Sequence, residues 1–288
     1  MVGGEQTRPD AEGVTSGAGT AGLHLPVGTP GTAGTPGTVN SHARKTGRGS
    51  WRPLLLQLGA IVLAAVLLAA WLLTADLTPT EQTTLSPSNL ISYTLEHLAL
   101  TGLSAVIVLV IAIPLGIVLT RKTFRKLTGP VLAAVNVGQA APSIGVIVLL
   151  AAWVGFNFQA AVTALVLYAL LPVLRNTMVG ISQVDPRLVE AGRGMGMSAF
   201  SVLLRVELPL AVPIMLAGIR TALVLLVGTA SLATFINGGG LGILITTGVN
   251  LSLTRVLVAG ALTVALLALL IDWVGRVVEH VARPKGLA

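Results

Sequence analysis

Six long apolar stretches constrain this chain more than any other feature of its sequence. A helix needs about 20 consecutive apolar residues to cross the roughly 30 Å hydrocarbon core of a bilayer. Only 10% of the 288 residues are charged, whereas a soluble domain carries roughly 25%. The sequence therefore predicts an all-α polytopic membrane protein. The predicted spans are residues 54–74, 98–120, 130–153, 159–179, 209–235 and 254–274, the second with a helical lead-in from Asn89.

The lysines and arginines between the spans predict the orientation of the chain. They cluster in residues 44–52, 121–126, 187–205 and 276–285, which all fall on one face if the chain crosses six times. Because Lys and Arg are retained on the cytoplasmic side, we expect this face and both termini to be inside. Residues 76–89 then form an external polar loop. The net charge of +7 accordingly favours a membrane surface as partner, and we predict no nucleic-acid binding.

The N-terminal segment has a different composition from the rest of the chain. Residues 1–50 contain twelve glycines, eight threonines and four prolines. Such a segment cannot bury enough apolar surface to offset the entropy of ordering it, so we predict a disordered cytoplasmic tail. Residues 51–88 add a first span and the external loop. A cleaved signal peptide is the competing interpretation, but this apolar run is longer than the usual core of roughly 7–15 residues and begins far into the chain.

The sequence lacks the residues that disulfides, metal sites and ion-coupled transport require. The chain has no cysteine, and its four histidines are scattered, so we predict neither a disulfide nor a metal site, and no catalytic residues. An ion-coupled carrier generally needs carboxylates or histidines inside the membrane. Here Glu96, Arg175, Arg220 and Asp272 lie toward span ends, and no span centre holds an acid. A membrane enzyme and an ion-coupled carrier or channel therefore stay as weaker alternatives.

An ordered segment is predicted between the fourth and fifth spans. Asp185 precedes Pro186 as an N-cap precedes proline at the first helical position. Gly196 is a natural left-handed helix terminator, and Ser198 can cap a second helix. Pro209 is expected to end this unit and to open the fifth span. The residues alone leave two functions open, an amphipathic hairpin on lipid headgroups and a docking element for another protein.

Polar and helix-breaking residues within the spans form a candidate translocation path. Pro and Gly are tolerated in a span where neighbouring groups or a water-filled cavity satisfy the backbone. Helix packing through small residues explains the same positions equally well. The aromatic residues Trp153, Phe156, Phe158 and Tyr168 fit either an interfacial belt or cation–π contact with a quaternary ammonium group. The candidate path residues are Gln139, Pro142, Ser143, Asn176, Thr221, Ser231 and Thr234.

The segment between spans four and five carries a family resemblance. Glu190-Ala191-Gly192, three residues, Gly196, nine residues and then Val206-Glu207-Leu208-Pro209 resembles the signature loop of type I ABC importer permeases. That signature is Glu-Ala-Ala, three residues, Gly, nine residues and Ile-x-Leu-Pro. Gly192 and Val206 depart from it. Further stretches, including VNVGQAAPSIGVIVLL and ASLATFINGGGLG, are similar to the osmoprotectant branch, which imports glycine betaine, carnitine, choline or proline betaine. The resemblance covers about residues 89–287.

The resemblance implies partners and roles. Residues 89–279 would form the type I permease domain of a bacterial inner-membrane importer, followed by a cytoplasmic C-terminal segment at 280–288. Residues 185–208 would be the coupling loop that docks on a separate ABC ATPase, which binds ATP and Mg²⁺. This chain itself has no Walker A pattern, GxxxxGK[ST], and no cofactor is expected in it.

A second permease subunit, identical or sister, and an extracellular or periplasmic solute-binding protein would complete the importer. A type I permease for another small solute, such as an amino acid, is the nearest alternative. The coupling residues implied are Glu190, Ala191, Gly192, Gly196, Leu208 and Pro209.

Overall fold

A computed structural model describes residues 51–282, and within that part of the chain every regular element is a helix. The predictions for the tail at residues 1–50 and for residues 283–288 lie outside the described residues. The α-helices are α1 (Arg52–Thr74), α2 (Pro79–Thr84), α3 (Pro87–Leu119), α4 (Thr128–Ala140), α5 (Ser143–Val154), α6 (Phe158–Ser182), α7 (Pro186–Gly194), α8 (Ala199–Val202), α9 (Leu208–Ala230), α10 (Gly242–Asn250) and α11 (Thr254–Ala282).

Five helical stretches of the described chain are long and apolar enough to cross a membrane. They are α1, α3, α6, the continuous stretch Ala199–Ile236 that contains α8 and α9, and α11. The predicted third span is different, because it consists of two helical pieces, Arg125–Ala140 and Ser143–Val154, that meet at 99°. Pro142 lies at this break, where it cannot donate a backbone hydrogen bond to continue α4. The break falls at the helix-breaking residues that the sequence places within the span at residues 130–153.

The bent pair nevertheless carries the chain across the bundle. Leu119 at the end of α3, Thr128 at the start of α4 and Ser182 at the end of α6 all line one cavity. Because α6 ends beside the end of α3, its start lies at the opposite end of the bundle. The pair α4–α5 must therefore connect the two ends, which makes six passages in all. We call the end that holds residues 121–126 and 187–205 the basic end.

Helix α6 forms the centre of the bundle. It packs against α3, α4, α5 and α9, and small residues bring the backbones close together. Gly116 of α3 lies against Thr177 of α6, and Gly180 of α6 lies against Ala211 of α9. Most large side chains of α1 and many on the outer faces of α3 and α11 remain exposed, as expected for lipid-facing surfaces.

The extra first helix is attached to α11 at both ends. At the basic end, the indole Nε1 of Trp273 donates to the carbonyl oxygen of Leu54 at 2.8 Å. One turn further on, Gln57 Nε2 donates to Asp272 Oδ2 at 3.1 Å. At the opposite end, Arg255 of α11 donates to the carbonyl oxygen of Asp76, just after α1. The first span is therefore an integral part of the described bundle.

The predicted polar loop at residues 76–89 contains a short helix, α2, and the start of α3. Thr78 and Glu81 form a capping box that starts α2, and α3 already begins at Pro87. The backbone N–H of Thr78 donates to Glu81 and lowers the pKa of its carboxyl group. Arg255 lies 3.4 Å from the same carboxylate. The capping box and this ion pair together order the connection between α1 and α3.

Helix α10 was not predicted. It follows the glycine-rich turn at residues 238–240 and packs antiparallel on the first half of α11. A Cβ atom on Gly248 would lie 2.5 Å from the backbone nitrogen of Leu257, so the two helices touch backbone to backbone. Helix α11 also continues to Ala282, so residues 280–282 are helical and not part of a separate C-terminal segment.

Replacing Gly248 with alanine should therefore destabilise the protein. The new methyl group cannot fit without moving the backbone of Leu257, and overpacking of this kind costs about 1–3 kcal/mol. Gly102→Ala is the matched control, because Gly102 is exposed on α3 with no atom near the added methyl group. We expect the control to keep or raise the thermal unfolding midpoint of the detergent-solubilised protein. Equal midpoints for the two variants would contradict this packing.

Candidate functional site

The candidate site is the segment at residues 185–209, and its first helix forms as the sequence predicts. Asp185 Oδ1 accepts a hydrogen bond from the backbone N–H of Arg187 at 2.9 Å. Pro186 occupies the first turn of α7, where its missing N–H costs nothing. The predicted N-cap and helix start are thereby confirmed.

A complete Schellman turn follows α7. Gly196 has a φ of 82°, a left-handed conformation that L-residues with side chains rarely adopt. Its N–H donates to the carbonyl of Arg193 at 2.9 Å, and the N–H of Met197 donates to the carbonyl of Gly192 at 3.2 Å. A Cβ atom on Gly196 would meet no other atom, so the requirement for glycine comes from the backbone conformation alone. The predicted terminator is confirmed.

Gly192 lies on the inner side of the turn. It is buried against Val202 of α8 and against Met197. An added methyl group would lie 3.4 Å from Val202 Cγ2 and 3.5 Å from Met197 Sδ, which are ordinary van der Waals contacts. The second alanine of the signature would therefore fit here, and the departure at Gly192 leaves the turn unchanged.

The outer side of the segment is apolar and exposed. Met195 is 77% exposed and Phe200 is 69% exposed, and Leu188 and Leu204 are also exposed. Glu190 and Ala191 are exposed as well. Exposed large apolar side chains and an acidic residue in one short segment are typical of a docking element or of a surface in contact with lipid.

The second helix of the segment does not end at Pro209, contrary to our expectation. Ser198 caps α8 as predicted, its hydroxyl oxygen accepting from the N–H of Ser201 at 3.2 Å. Residues Leu203–Glu207 then form a π-helical turn that leads directly into α9. Pro209 has no N–H for the carbonyl of Arg205, and the wider turn accommodates this loss. Leu208 and Pro209 are thus the first residues of α9, within one continuous helix from Ala199 to Ile236.

A buried ion pair fixes the base of the segment, and the sequence reasoning missed it. Both guanidinium Nη atoms of Arg121, just after α3, donate to the two carboxylate oxygens of Glu207. The side chain of Glu207 is only 6% exposed, whereas that of Arg121 is 35% exposed. Two parallel hydrogen bonds between a guanidinium and a carboxylate set both distance and angle. The sequence VELP contains a single acidic residue between apolar residues, and this pattern could have indicated a buried carboxylate that needs a partner.

Among residues 51–282, the candidate path residues are spread over several places in the bundle. Thr221 lies on an open groove of about 520 Å³ formed by α9 and Asp272 of α11. The amide of Asn176 donates to the carbonyl of Pro172 at 2.8 Å, and its side chain packs on Gly218. Thr234 is half-buried in the short 3₁₀ helix after α9. Asn176 and Thr221 therefore lie on neighbouring helices without sharing a cavity.

Three candidate residues surround the break between α4 and α5, and a fourth lies at the end of α9. Gln139 Nε2 donates to the carbonyl of Tyr168 at 3.4 Å. The hydroxyl of Tyr168 donates to the carbonyl of Ala141, next to the break. Pro142 and Ser143 begin α5. Ser231 donates to the carbonyl of Gly228 at 2.7 Å. These groups satisfy backbone atoms where helices end, so their contacts agree with the packing alternative.

The aromatic residues predicted near the outer ends of the spans are mostly exposed. Trp153 is 92% exposed, and Phe156 and Phe158 follow it in the turn between α5 and α6. Their position at the end of the bundle opposite the basic end is typical of an interfacial aromatic belt. Tyr168 instead packs inside the bundle.

A second polar cluster, also missed, holds the glycine-rich turn after α9. His97 of α3 is fully buried, and its Nδ1 accepts from the N–H of Leu241 at 3.3 Å. Its Nε2 lies 3.0 Å from the carbonyl of Val227 and therefore carries the proton. Glu96 Oε2 accepts from the N–H of Gly240 at 3.0 Å. These three bonds tie α3 to α9 and to the turn.

No group of three or more His, Asp or Glu residues that could hold a metal ion occurs in the part of the chain that the structure describes. Near the basic end, the carboxylates of Glu207, Asp272 and Glu279 lie in ion pairs with arginines, whereas Asp185 caps α7 and Glu190 is exposed. The site therefore combines exposed apolar side chains with ion pairs at its base.

The chain is similar to several transport permeases. It is 42% identical over 192 residues to the glycine betaine/carnitine/choline transport system permease protein OpuCB of Bacillus subtilis, which covers 67% of this chain and 88% of the relative. It is 40% identical over 203 residues to the osmoprotectant import permease protein OsmW of Salmonella typhimurium, covering 69% and 94%. The carnitine transport permease protein OpuCB of Listeria monocytogenes is 38% identical over 199 residues, covering 69% and 90%.

Solved structures show the same fold. The inward-facing MetNI methionine ABC transporter matches with a TM-score of 0.59 and 26% identity, over 67% of this chain and 95% of that chain. An amino acid ABC transporter crystallised with histidines matches with a TM-score of 0.55 and 18% identity, which supports the fold alone.

A family model described as the inner membrane component of binding-protein-dependent transport systems matches residues 112–283. This match contains the whole candidate site, the bent pair α4–α5, and the helices α6, α9 and α11. The chain therefore belongs to the family of permease components of binding-protein-dependent ABC transport systems.

Proposed function

We propose that this chain imports a compatible solute of the glycine betaine, carnitine and choline class as the permease of an ABC importer. The observation that carries the proposal is the segment at residues 185–209, whose signature residues fold into a capped helix, a Schellman turn and a second helix continuous with α9. The names of relatives at 38–42% identity support the solute class.

In this proposal the segment docks on a separate ATPase subunit that binds ATP and Mg²⁺. The exposed apolar side chains around Met195 and Phe200 would fill a cleft of that subunit, and Glu190 would add a polar contact. A movement of the docked tip would pass into α9 without a flexible joint, because α8, the π turn and α9 form one helix. Arg121 and Glu207 would pass the same movement to α3.

The open groove beside α9 supports the expectation of a second permease subunit. Thr221, Thr229 and Gly228 line this groove together with Arg220 and Asp272. One chain encloses it on one side only, so a second copy or a sister chain would complete the pathway. Arg220 and Asp272 are paired with each other and with Arg276 and Glu279, which leaves the groove without a free charge for ion coupling. This arrangement favours an ATP-driven importer over an ion-coupled carrier.

Solute recognition in this proposal belongs mainly to a separate binding protein outside the membrane. The described path residues form bonds within the bundle and leave no tight, aromatic-lined site of the kind that quaternary ammonium groups prefer. An amino acid is the second candidate solute, favoured by the structural match to the methionine transporter. Uptake of glycine betaine, choline, carnitine and methionine by cells expressing the complete importer would separate the two.

Gly196→Val should abolish solute uptake. A β-branched residue cannot adopt the φ of 82° without a local cost of at least about 1–2 kcal/mol, so the turn would rearrange and the docking tip would shift. Glu190→Ala removes one exposed polar group and should reduce uptake less. Gly192→Ala is the matched control, because a methyl group fits there and restores the residue of the signature. Uptake and retention of the ATPase on purification are measured at matched membrane abundance. Normal uptake with Gly196→Val would refute the docking role and favour the interfacial hairpin.

Arg121→Ala should reduce both stability and uptake. It leaves the carboxylate of Glu207 buried without its partner, at a cost of about 1–3 kcal/mol. Arg276→Ala removes an arginine from an exposed pair one helical turn apart and should cost only about 0.3–0.5 kcal/mol. The measurements are the thermal unfolding midpoint in detergent and the uptake rate. The charge swap Arg121→Glu with Glu207→Arg should recover part of the loss, and failure of Arg121→Ala to exceed the control would count against the pair.

Both termini and the basic end are proposed to be cytoplasmic. Because the chain has no cysteine, single cysteines at Thr83, Thr123 and Thr46 can be labelled without background. An impermeant thiol reagent should label only the Thr83→Cys variant in intact cells, and all three after permeabilisation. Labelling of Thr46→Cys or Thr123→Cys in intact cells would reverse or break the proposed topology.

A further inference from the structure

A basic cavity lies at the basic end of the bundle, away from the segment at residues 185–209. Its volume is about 610 Å³, and it opens between the end of α3, the loop at residues 121–127, the start of α4 and the end of α6. Lys122, Arg125 and Arg175 line it, and none of its lining residues is acidic. Three positive charges around one cavity repel one another unless an anion lies between them.

Arg175 lies in α6 without a carboxylate partner in the described part of the chain. Four other arginines of the described chain, Arg121, Arg220, Arg255 and Arg276, each form an ion pair with a carboxylate. For Arg175, Lys122 and Arg125, no carboxylate partner exists among residues 51–282. Arg175 also lies seven residues before the end of α6 at Ser182, which places it about 10 Å along the helix into the span. Arg175 is exposed there, and an arginine on a membrane-spanning helix without a carboxylate partner favours an anionic partner from outside the chain.

The remaining walls of the cavity indicate what kind of anion fits. Leu132 of α4 and Met178 of α6 provide an apolar wall, next to the exposed Val179. The hydroxyl of Thr128 is already bonded to the carbonyl of Leu119 at 3.1 Å. A small soluble anion would contact the cations and leave the apolar wall uncovered. A phospholipid would place its phosphate among the cations and the first carbons of its acyl chains against that wall.

We propose that this cavity binds the headgroup phosphate of an anionic phospholipid. The bound phosphate ties the loop at residues 121–127 to α6, since Lys122 and Arg125 belong to the loop and Arg175 belongs to α6. The same loop begins with Arg121, which holds Glu207 at the base of α9. Anionic lipid therefore stabilises the part of the chain on which that ion pair depends.

The test measures lipid binding by the full-length chain in detergent, by native mass spectrometry and by the thermal unfolding midpoint. The probes are phosphatidylglycerol, phosphatidylcholine of the same acyl chains, and inorganic phosphate. We expect phosphatidylglycerol to bind more tightly than phosphatidylcholine and to raise the midpoint, and inorganic phosphate to do neither. Equal binding of the two lipids would overturn the proposal. Displacement of phosphatidylglycerol by inorganic phosphate would overturn the assignment to lipid.

Variants assign the binding to the cavity. Arg175→Gln should weaken phosphatidylglycerol binding about fivefold, and the double variant Lys122→Gln with Arg125→Gln about twenty-five-fold. Arg175→Lys keeps the charge and should retain most of the binding. Lys126→Gln is the matched control, since it removes a charge from the same loop without lining the cavity. Glutamine variants that bind the lipid like the control, but no longer retain the ATPase, would assign these cations to a protein contact and overturn the proposal.

Discussion

The close packing of α6 against α3 and α9 is the interaction on which the rest of the structure depends. Lipid is as apolar as the side chains, so hydrophobic burial alone cannot hold these helices together. Glycines and other small residues instead let the backbones touch, as at Gly116 and Gly180. Tyr168 of α6 also bonds to the backbone at the break between α4 and α5, where Pro142 interrupts the helix. The open groove beside α9 faces away from this packed centre.

Several polar contacts of the described residues lie where helices begin or end. Asp185 and Ser198 cap short helices, Arg121 and Glu207 join two long ones, and Glu96 holds a glycine-rich turn. Within the described bundle, Thr177 is the one side chain with a buried polar atom that lacks a hydrogen-bond partner. This distribution follows from the cost of leaving a polar group unpaired in an apolar medium. The same cost explains why several candidate path residues form hydrogen bonds with backbone atoms of the bundle.

Local sequence patterns predicted the membrane class, six passages and the turn at Gly196, because each depends on neighbouring residues. Apolar length determines a span, and a left-handed glycine after a capped helix determines a Schellman turn. The features that were missed depend on partners far along the chain. Arg121 and Glu207 are 86 positions apart, and His97 meets Val227 across 130. The break at Pro142 falls where the sequence places an interruption, but the continuation of the helix through Pro209 was misjudged. The tertiary setting decides whether a proline bends a helix or is accommodated by a wider turn.

The bonds at the two ends of α3 and α9 have a mechanical consequence. Arg121 and Glu207 join these helices at the basic end, and His97 joins them near the other end through Val227 and Leu241. A rotation of α3 relative to α9 would break the bonds at one of these two ends. We therefore expect α3 and α9 to move together in the transport cycle, with relative movement at α4–α5 or at the boundary with another subunit.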